Sequence, residues 1–289
     1  MIAPDAQSPR ATPTRTFAEG SAYRIEISSV EGPEVLAAVI DEAARLSVPV
    51  QRVTQGSGIA LTTDAEISEM VALGTEHDIE VCLWVGTRSG WGPGIHARSD
   101  VGRAAAGAVS GAAGLKAGLD EAHRAADLGV RALLVADLGL ASLLSQARQS
   151  GALPAGMILK SSVSLPLTNP EVARLFVGVG FNTLNAPSDM PVAELAEVRA
   201  AVDVPLDVYI ESPDDLGGVV RHSEVAAIVA AAAPVYLKFA VRNAPSLYPG
   251  GHHTLALLQA LGRERVRRAR ISLDVLRRHA QTHPSELPS

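Results

Sequence analysis

The most constraining feature of this sequence is the alternation of short apolar runs with longer segments of helical pattern. Eight runs rich in β-branched or other apolar residues recur, most of them separated by a helix-like segment. Such alternation predicts βαβ units with a parallel sheet, and eight units without a strand-only region favour a closed (β/α)8 TIM barrel over an open sheet. The predicted strands are residues 23–28, 48–54, 79–85, 131–137, 156–162, 181–185, 206–211 and 235–241.

The predicted barrel is a single domain that occupies most of the 289 residues. Residues 1–20 are rich in Pro, Ser, Thr and Ala without the apolar segment of a signal peptide, so we predict a disordered leader. Residues 21–280 would form the barrel, and residues 281–289 a polar tail. A long Gly-rich loop at about 86–104 follows the third strand. Long ordered loops are usually functional, so we expect a lid there, with a disordered insertion as the alternative.

Local helix signals support these boundaries. The segment from Thr63 to Glu66 has the pattern of a capping box, in which each side chain bonds the backbone of the other residue. Asn169 followed by Pro170 combines an N-cap residue with proline at the first helical position. We therefore predict helices that begin after Thr63 and after Asn169.

Composition excludes several classes of protein. A formal net charge of -6 makes a nucleic-acid partner unlikely and gives no reason to expect an anionic membrane surface. The single cysteine, Cys82, rules out a disulfide framework and a cysteine-based metal site. No apolar run reaches the ~18 residues of a membrane span. We expect a cytoplasmic protein with a small-molecule substrate; the sequence gives no indication of its oligomeric state.

Polar residues on the inner faces and at the carboxyl ends of the predicted strands are candidates for catalysis, because barrel active sites lie there. The first and eighth strands are neighbours in a closed barrel, so we expect that Glu26 and Lys238 could pair. The alternative is a paired ion network in the core, since buried charges are costly unless they are paired. The candidate catalytic residues are Glu26, Asp137, Lys160, Glu211 and Lys238.

The lysines strengthen the catalytic interpretation. The 25 Lys and Arg residues include only Lys116, Lys160 and Lys238 as lysines, and two of these lie on predicted strands. Unlike arginine, a lysine can lose its proton and act as a base or as a Schiff-base nucleophile. A contact of these lysines with a substrate phosphate or carboxylate is the alternative.

Residues at other strand ends and in the last loops are candidates for substrate binding. The loops after the seventh and eighth strands frequently bind phosphate in this fold, although glycine pairs also serve ordinary turns. The predicted binding residues are Gln55, Asn185, Arg242, Asn243, Gly250 and Gly251.

A metal is less clearly indicated. Glu26, Asp137 and Glu211 could hold a divalent cation through oxygen ligands. No His-x-His or His-Glu-x-x-His spacing supports a zinc site. No cofactor is therefore expected with certainty, and a divalent cation is the one candidate.

Five short segments of the sequence match those of a known group of proteins: Ser28-Ser29-Val30-Glu31-Gly32-Pro33, Gln55-Gly56-Ser57-Gly58, Tyr236-Leu237-Lys238-Phe239, Arg242-Asn243-Ala244-Pro245 and Tyr248-Pro249. They resemble segments of an actinobacterial subgroup of peptidase family U32, a group of collagenase-like barrel proteins. The resemblance runs from about Tyr23 to His279. It implies a barrel, and it implies either a peptidase or a role like that of members that act in RNA hydroxylation. The Cys-containing signature of typical members and the cluster-binding cysteines of some relatives are absent here.

Three functional hypotheses follow. Strand-end lysines beside carboxylates favour a lyase or aldolase that acts on a small carboxylate or carbonyl compound, with or without a phosphate group. A U32-type hydrolase or peptidase with a carboxylate-bound metal is the second hypothesis. The third is a barrel that binds RNA or a metabolite without catalysis, supported only by the arginines of residues 263–278, which are more typical of an amphipathic helix with a solvated basic face.

Overall fold

The computed structural model describes residues 16–100 and 106–282. Most of the predicted leader, the predicted polar tail from residue 283 and residues 101–105 of the predicted lid lie outside the described residues. Residues 16–20 pack against the barrel, where the Phe17 ring is buried and lies 5.1 Å from the Tyr236 ring. The closing of a lid over a ligand stays a prediction.

Eight parallel strands form one sheet, in the order β5-β4-β3-β2-β1-β8-β7-β6. A parallel bridge between Lys160 on β5 and Thr183, just before β6, joins the two edges of this sheet. The predicted (β/α)8 TIM barrel is therefore confirmed. The strands are β1 (Tyr23–Ser28), β2 (Val50–Gln55), β3 (Glu80–Val85), β4 (Ala132–Val135), β5 (Ile158–Ser161), β6 (Leu184–Asn185), β7 (Leu206–Glu211) and β8 (Val235–Phe239).

A helix follows each strand and covers the outside of the sheet. Thr63 and Glu66 form the predicted capping box, and the Asn169 side chain accepts a hydrogen bond from Val172 N at 3.0 Å with Pro170 in the first turn. Both predicted helix starts are confirmed. The helices are α1 (Pro33–Leu46), α2 (Asp64–Glu76), α3 (Gly111–Asp127), α4 (Leu138–Gln149), α5 (Pro170–Val179), α6 (Val192–Ala201), α7 (Val225–Ala232) and α8 (Leu255–Thr282). None of these helices is long and apolar enough to cross a membrane.

The outer faces of the strands supply the apolar core between sheet and helices. Ile25 and Ile27 on β1, Val208 on β7 and Leu237 and Phe239 on β8 are all inaccessible to solvent. They alternate along their strands with polar residues that point to the barrel axis, as expected for a sheet covered by helices on one face.

The barrel axis holds a network of ion pairs, which we call the interior ion network: Glu26, Arg52, Lys160 and Asp207. Lys160 Nζ lies 2.8 Å from both Glu26 Oε2 and Asp207 Oδ1. Arg52 Nη1 lies 2.9 Å from Asp207 Oδ1 and 3.5 Å from Glu26 Oε2. Each of these four side chains is at most 1% exposed. The network is a core structure whose charges are stable only together, because an unpaired charge at this depth costs several kcal/mol.

Removing the shared cation tests this interpretation. We expect Lys160→Met to lower the free energy of unfolding by about 3–5 kcal/mol, because Glu26 and Asp207 would lose their common partner. Chemical denaturation at neutral pH measures the change. The matched control is Lys116→Met, whose ammonium pairs with Asp120 at the surface and is 74% exposed; we expect a change within about 0.5 kcal/mol. Equal effects of the two substitutions would contradict the assignment.

Candidate active site

A cavity of about 210 Å³ opens at the carboxyl ends of the strands. In this fold the active site lies at that end, where the strand-to-helix loops converge. The lining comes from seven of the eight strands, all except β5, and from the loops after β1, β2, β3, β5, β7 and β8. Its residues are Ser28, Ser29, Thr54, Gly56, Trp84, Arg88, Ala106, Gly107, Leu134, Ser162, Val163, Ser164, Asn185, Tyr209, Asp215, Leu216, Lys238 and Tyr248. We take this cavity as the candidate active site.

Lys238 connects the cavity to the interior ion network. β1 and β8 pair in register at Glu26 and Lys238, and Lys238 Nζ lies 3.4 Å from Glu26 Oε1, which confirms the predicted proximity. When the Asn185 amide is oriented with its oxygen toward the ammonium, Lys238 Nζ donates to Asn185 Oδ1 at 3.0 Å. The Tyr209 ring lies below the same ammonium, with its centroid 4.4 Å from Nζ. Lys238 is therefore held in place by three neighbours while it lines the cavity.

Glu26 is the carboxylate that links these lysines. Burial raises the pKa of Glu26, but the charges of Lys160, Lys238 and Arg52 outweigh this effect and leave the pKa well below its ordinary value. Thr54 Oγ1 donates a further hydrogen bond to Glu26 Oε1 at 2.6 Å. Glu26 is therefore ionised at neutral pH and suits a charge partner better than a proton donor.

Arg88 and aromatic side chains form one wall of the cavity. The Arg88 guanidinium stacks on Trp84, with Cζ 3.6 Å from the ring centroid, and lies 5.5 Å from the Tyr248 centroid. Its Nη2 donates to the carbonyl oxygen of Gly56. Its buried Nε has no hydrogen-bond partner among the described residues. The structure thus provides a fixed cation with unused hydrogen-bonding capacity.

Tyr248 packs across the cavity from the loop after β8. Its hydroxyl shares a 2.5 Å hydrogen bond with Ser29 Oγ. A Cβ at Gly56 would lie 2.3 Å from Tyr248 Cε1, so only glycine allows this close approach. Burial raises the pKa of both Tyr248 and Tyr209 well above the ordinary value, so both hydroxyls stay protonated at neutral pH.

Asp137 holds the loop after β3 against the cavity. Its Oδ1 accepts from Leu140 N at 2.8 Å as the N-cap of α4, and its Oδ2 accepts from Val109 N at 3.0 Å. Within the loop, Ser89 N donates to Ala108 O at 3.1 Å. Asp137 is thus occupied with backbone N–H groups and does not line the cavity.

Glu211 lies on the opposite side of β7 from the cavity. The register of β7 and β8 shifts between Tyr209 and Glu211, so that Glu211 pairs with Phe239, an outward residue. Its carboxylate accepts from Arg242 N at 2.9 Å and lies 3.2 Å from His222 Nε2. The sequence analysis assumed regular alternation along β7 and therefore placed Glu211 on the inner face. That prediction is wrong, because the alternation is interrupted at this register shift.

The contact of His222 with Ser272 resembles part of a nucleophile triad. His222 Nδ1 lies 2.7 Å from Ser272 Oγ, and Nε2 faces Glu211. Ser272 is inaccessible to solvent on α8, so no substrate could reach its hydroxyl. The contact ties α8 to β7 and does not form a catalytic centre.

Of the predicted substrate-binding residues, too, some line the cavity and others are engaged elsewhere. Asn185 lines the cavity. Gln55 bonds the backbone of Gly58 and the hydroxyl of Thr62. Arg242 is 60% exposed beside Asp214, and Asn243 is an exposed turn residue with φ 60°.

The two glycines of the last loop use their N–H groups within the protein. Gly250 N donates to Ser57 Oγ at 2.8 Å, and Gly251 N donates to Thr254 Oγ1 at 3.3 Å. Ser57 is positioned in turn by Glu31, whose carboxylate accepts from Gly56 N and Ser57 N. Gly250 therefore joins the loops after β2 and β8, whereas Gly251 bonds within its own segment.

The alternation argument did not find Arg88, Trp84, Tyr209 or Tyr248 as site residues. Tyr209 alternates with Val208 and Ile210 and therefore belongs to the inner face of its predicted strand. Tyr248 lies in the predicted loop after the eighth strand, in one of the segments that carry the family resemblance. Arg88 lies in a loop, and nothing in its local sequence indicates that it folds back on Trp84.

A larger open groove, of about 620 Å³, lies at the amino ends of the strands. Its arginines are occupied: Arg24 pairs with Glu19, and Arg131 donates to the backbone carbonyls of Ala126 and Val130. Because barrel chemistry occurs at the other end, we do not assign this groove to the active site.

The candidate cation ligands do not converge. Within residues 16–100 and 106–282, no group of three or more His, Cys, Asp or Glu is arranged to hold a metal ion. Glu26 lies on the barrel axis, Asp137 caps α4 and Glu211 faces the helices. A cation bound jointly by these three carboxylates is therefore not compatible with their positions.

Comparison with known proteins supports the fold. No family model matches the sequence, and no curated protein matches it. Among solved structures, a protein named as a fructose-1,6-biphosphate aldolase from Coccidioides immitis superposes with a TM-score of 0.53 at 15% identity, over 88% of this chain and 91% of that chain. The YdjI aldolase from Escherichia coli gives 0.50 at 17% identity, over 91% and 92%. At these identities the likeness establishes a shared barrel and nothing finer.

A U32 peptidase structure is also similar, with a TM-score of 0.42 at 16% identity over 71% of this chain and 72% of that chain. That score is too low to support membership of the family. The resemblance noted in the sequence is therefore confirmed only at the level of the barrel.

The low pKa of Glu26 predicts a specific acid sensitivity. A carboxylate whose pKa is lower in the folded state than its ordinary 4.5 adds stability at neutral pH that disappears as the pH falls below that value. Glu26→Gln should therefore destabilise the protein most at neutral pH, and the difference from wild type should shrink on acidification. Denaturation series between pH 7 and pH 3 measure this. The exposed Glu69→Gln should match wild type throughout; a Glu26→Gln deficit that does not change with pH would contradict the prediction.

Proposed function

We propose that this barrel is an enzyme of the aldolase or lyase type that acts on a small carboxylate or carbonyl compound through the amine of Lys238. The observation that carries the proposal is the position of the three lysines. Lys116 is exposed on α3, Lys160 is enclosed by Glu26 and Asp207, and Lys238 lines the cavity. Lysine chemistry would therefore fall on Lys238, and Lys160 would have a structural role.

The charges around Lys238 favour this assignment. Within the interior ion network, the cations of Arg52 and Lys160 pair with the carboxylates of Glu26 and Asp207, and Arg52 also pairs with the partly exposed Glu80. Neutralising Lys238 would leave these pairs in place, whereas neutralising Lys160 would leave Glu26 and Asp207 without their shared cation. Lys238 is therefore the buried lysine whose amine can react without disrupting the interior ion network.

The Lys238 ammonium would first lose a proton to water in the cavity, and the neutral amine would then attack the carbonyl carbon of the substrate. A C–N bond forms, the carbonyl oxygen leaves as water after protonation, and a positively charged imine remains on Lys238. On the carbon next to the imine carbon, a further carbon–carbon bond can break or a C–H proton can be removed, and the imine accepts the electron pair that is released. Glu26, ionised and 3.4 Å from Nζ, would stabilise the positive charge.

Proton transfer would use residues other than those expected from sequence. Glu211 and Asp137 were the expected proton carriers, but both are engaged away from the cavity. Tyr209 and Tyr248 line it instead, and each carries a hydroxyl group. Because they stay protonated at neutral pH, they could donate to the leaving carbonyl oxygen.

The alternatives have less support. Hydrolysis with a metal on Glu26, Asp137 and Glu211 would require carboxylates that lie apart. RNA binding along the arginines of α8 is weakened because Arg265 is buried and donates to Ser29 O at 2.9 Å. The aldolases among the structural neighbours agree with the proposed class, but the proposal rests on Lys238.

Reductive trapping tests the proposal. With sodium borohydride and a 2-oxo acid such as pyruvate, we expect a stable adduct on the peptide that contains Lys238, because hydride converts the imine to a secondary amine. Mass spectrometry of the digested protein locates it. Pyruvate, 2-oxobutanoate and glyceraldehyde would sample the oxo acids and aldehydes that the cavity can hold.

Two variants serve as controls. Lys238→Arg should remove the adduct while the protein stays folded by circular dichroism, since arginine keeps its charge but cannot form an imine. Lys116→Arg should trap as wild type does. An adduct on Lys116 alone, or no adduct with any probe, would contradict the proposal.

A further inference from the structure

Barrels of this fold often bind phosphate on backbone N–H groups of the loops after β7 and β8. Here the glycine N–H groups of these two loops already donate hydrogen bonds within the protein. In the loop after β7, Gly217 N donates to Asp214 O at 3.3 Å and Gly218 N to Pro213 O at 3.0 Å. In the loop after β8, the N–H groups of Gly250 and Gly251 bond side-chain hydroxyls. A phosphate group would have to break these bonds in both loops to use the amides, so this common binding mode is closed to it.

Arg88 provides an anion contact elsewhere in the same cavity. Stacking on Trp84 fixes the plane of the guanidinium, so its N–H groups point outward along the edge of that plane. One of them is used by the carbonyl of Gly56, and Nε, which has no partner in the described part of the chain, is itself enclosed by protein. Because Arg88 lines the cavity, a carboxylate there can accept from the guanidinium N–H groups that remain.

The charges of the lining also match a singly charged ligand. Among the described residues, the charged side chains that line the cavity are Arg88, Lys238 and Asp215. Two cations and one carboxylate suit a monoanion better than a phosphate dianion. The remaining lining is rich in hydroxyl groups. Among them are those of Ser162 and Ser164, whose Oγ atoms lie 2.8 Å apart and share a hydrogen bond.

We propose that Arg88 is the carboxylate receptor of this cavity and that the substrate is a small unphosphorylated monocarboxylate with a carbonyl group. This inference rests on the proposed function, because it assumes that Lys238 and Arg88 hold the same molecule. Arg88 would fix the carboxylate, and Lys238 would meet the carbonyl carbon. Arg88 is then a substrate-binding residue that sets specificity by charge.

The test compares pyruvate with its neutral amide and with inorganic phosphate by ligand-observed NMR titration. Wild type should bind pyruvate at least about tenfold more tightly than pyruvamide or phosphate, because a charge-assisted hydrogen bond favours the carboxylate. Arg88→Gln should weaken pyruvate binding at least about tenfold and leave pyruvamide binding nearly unchanged. Arg98→Gln, in an exposed position of the same loop, should behave as wild type does.

Any of three outcomes would overturn the proposal. They are a wild-type protein that fails to bind pyruvate, phosphate that binds as tightly as pyruvate, and an Arg88→Gln variant that still prefers pyruvate to pyruvamide. The experiment also separates the two proposals. Lys238→Met should lose the borohydride adduct and retain the dependence of pyruvate binding on Arg88. Arg88-dependent binding without an adduct would refute only the imine chemistry, whereas an adduct unaffected by Arg88→Gln would refute only the receptor.

Discussion

The pairing of Lys160 with two buried carboxylates is the interaction on which the rest of the barrel depends. Glu26 comes from β1 and Asp207 from β7, and Lys160 reaches both from β5 at 2.8 Å. Because an unpaired charge on the axis would cost several kcal/mol, the three strands can combine only in the register that brings these groups together. The edge of β5 is also where the barrel closes, through the bridge from Lys160 to Thr183. The ion pairs and the closure of the sheet therefore constrain each other.

The interior ion network also explains why Lys160 and Lys238, which both lie on strands, have different surroundings. Lys160 lies between two carboxylates, and its ammonium has no contact with the cavity. Lys238 approaches the network from one side, with a longer 3.4 Å contact to Glu26, and its other neighbours are the amide of Asn185 and the ring of Tyr209. Depth on the axis, which alternation along a strand does not encode, separates the enclosed Lys160 from Lys238, which lines the cavity.

The sequence predicted those features that depend on neighbours in the chain or on strand order. Apolar periodicity gave the eight strands, the segment from Thr63 to Glu66 gave a helix start, and the adjacency of β1 and β8 gave the contact between Glu26 and Lys238. Glu211 departs from prediction because a register shift after Tyr209 turns it outward, and alternation assumes that no such shift occurs. Arg88 could not be found because its position depends on how its loop folds back onto Trp84 of the preceding strand and onto Gly56 after β2, and the loop sequence does not encode either contact.

Arg265 shows how the last helix, α8, supports the cavity without lining it. It belongs to an arginine-rich segment whose pattern indicates a solvated face, yet it is 1% exposed and donates to Ser29 O at 2.9 Å. Ser29 adopts a left-handed conformation with φ 57°, which a non-glycine residue holds only when its surroundings fix it. Its hydroxyl in turn holds Tyr248 at 2.5 Å. The wall of the cavity opposite the strands is thus connected to α8 through Ser29, so that the last helix positions a hydroxyl at the candidate site as well as covering the barrel.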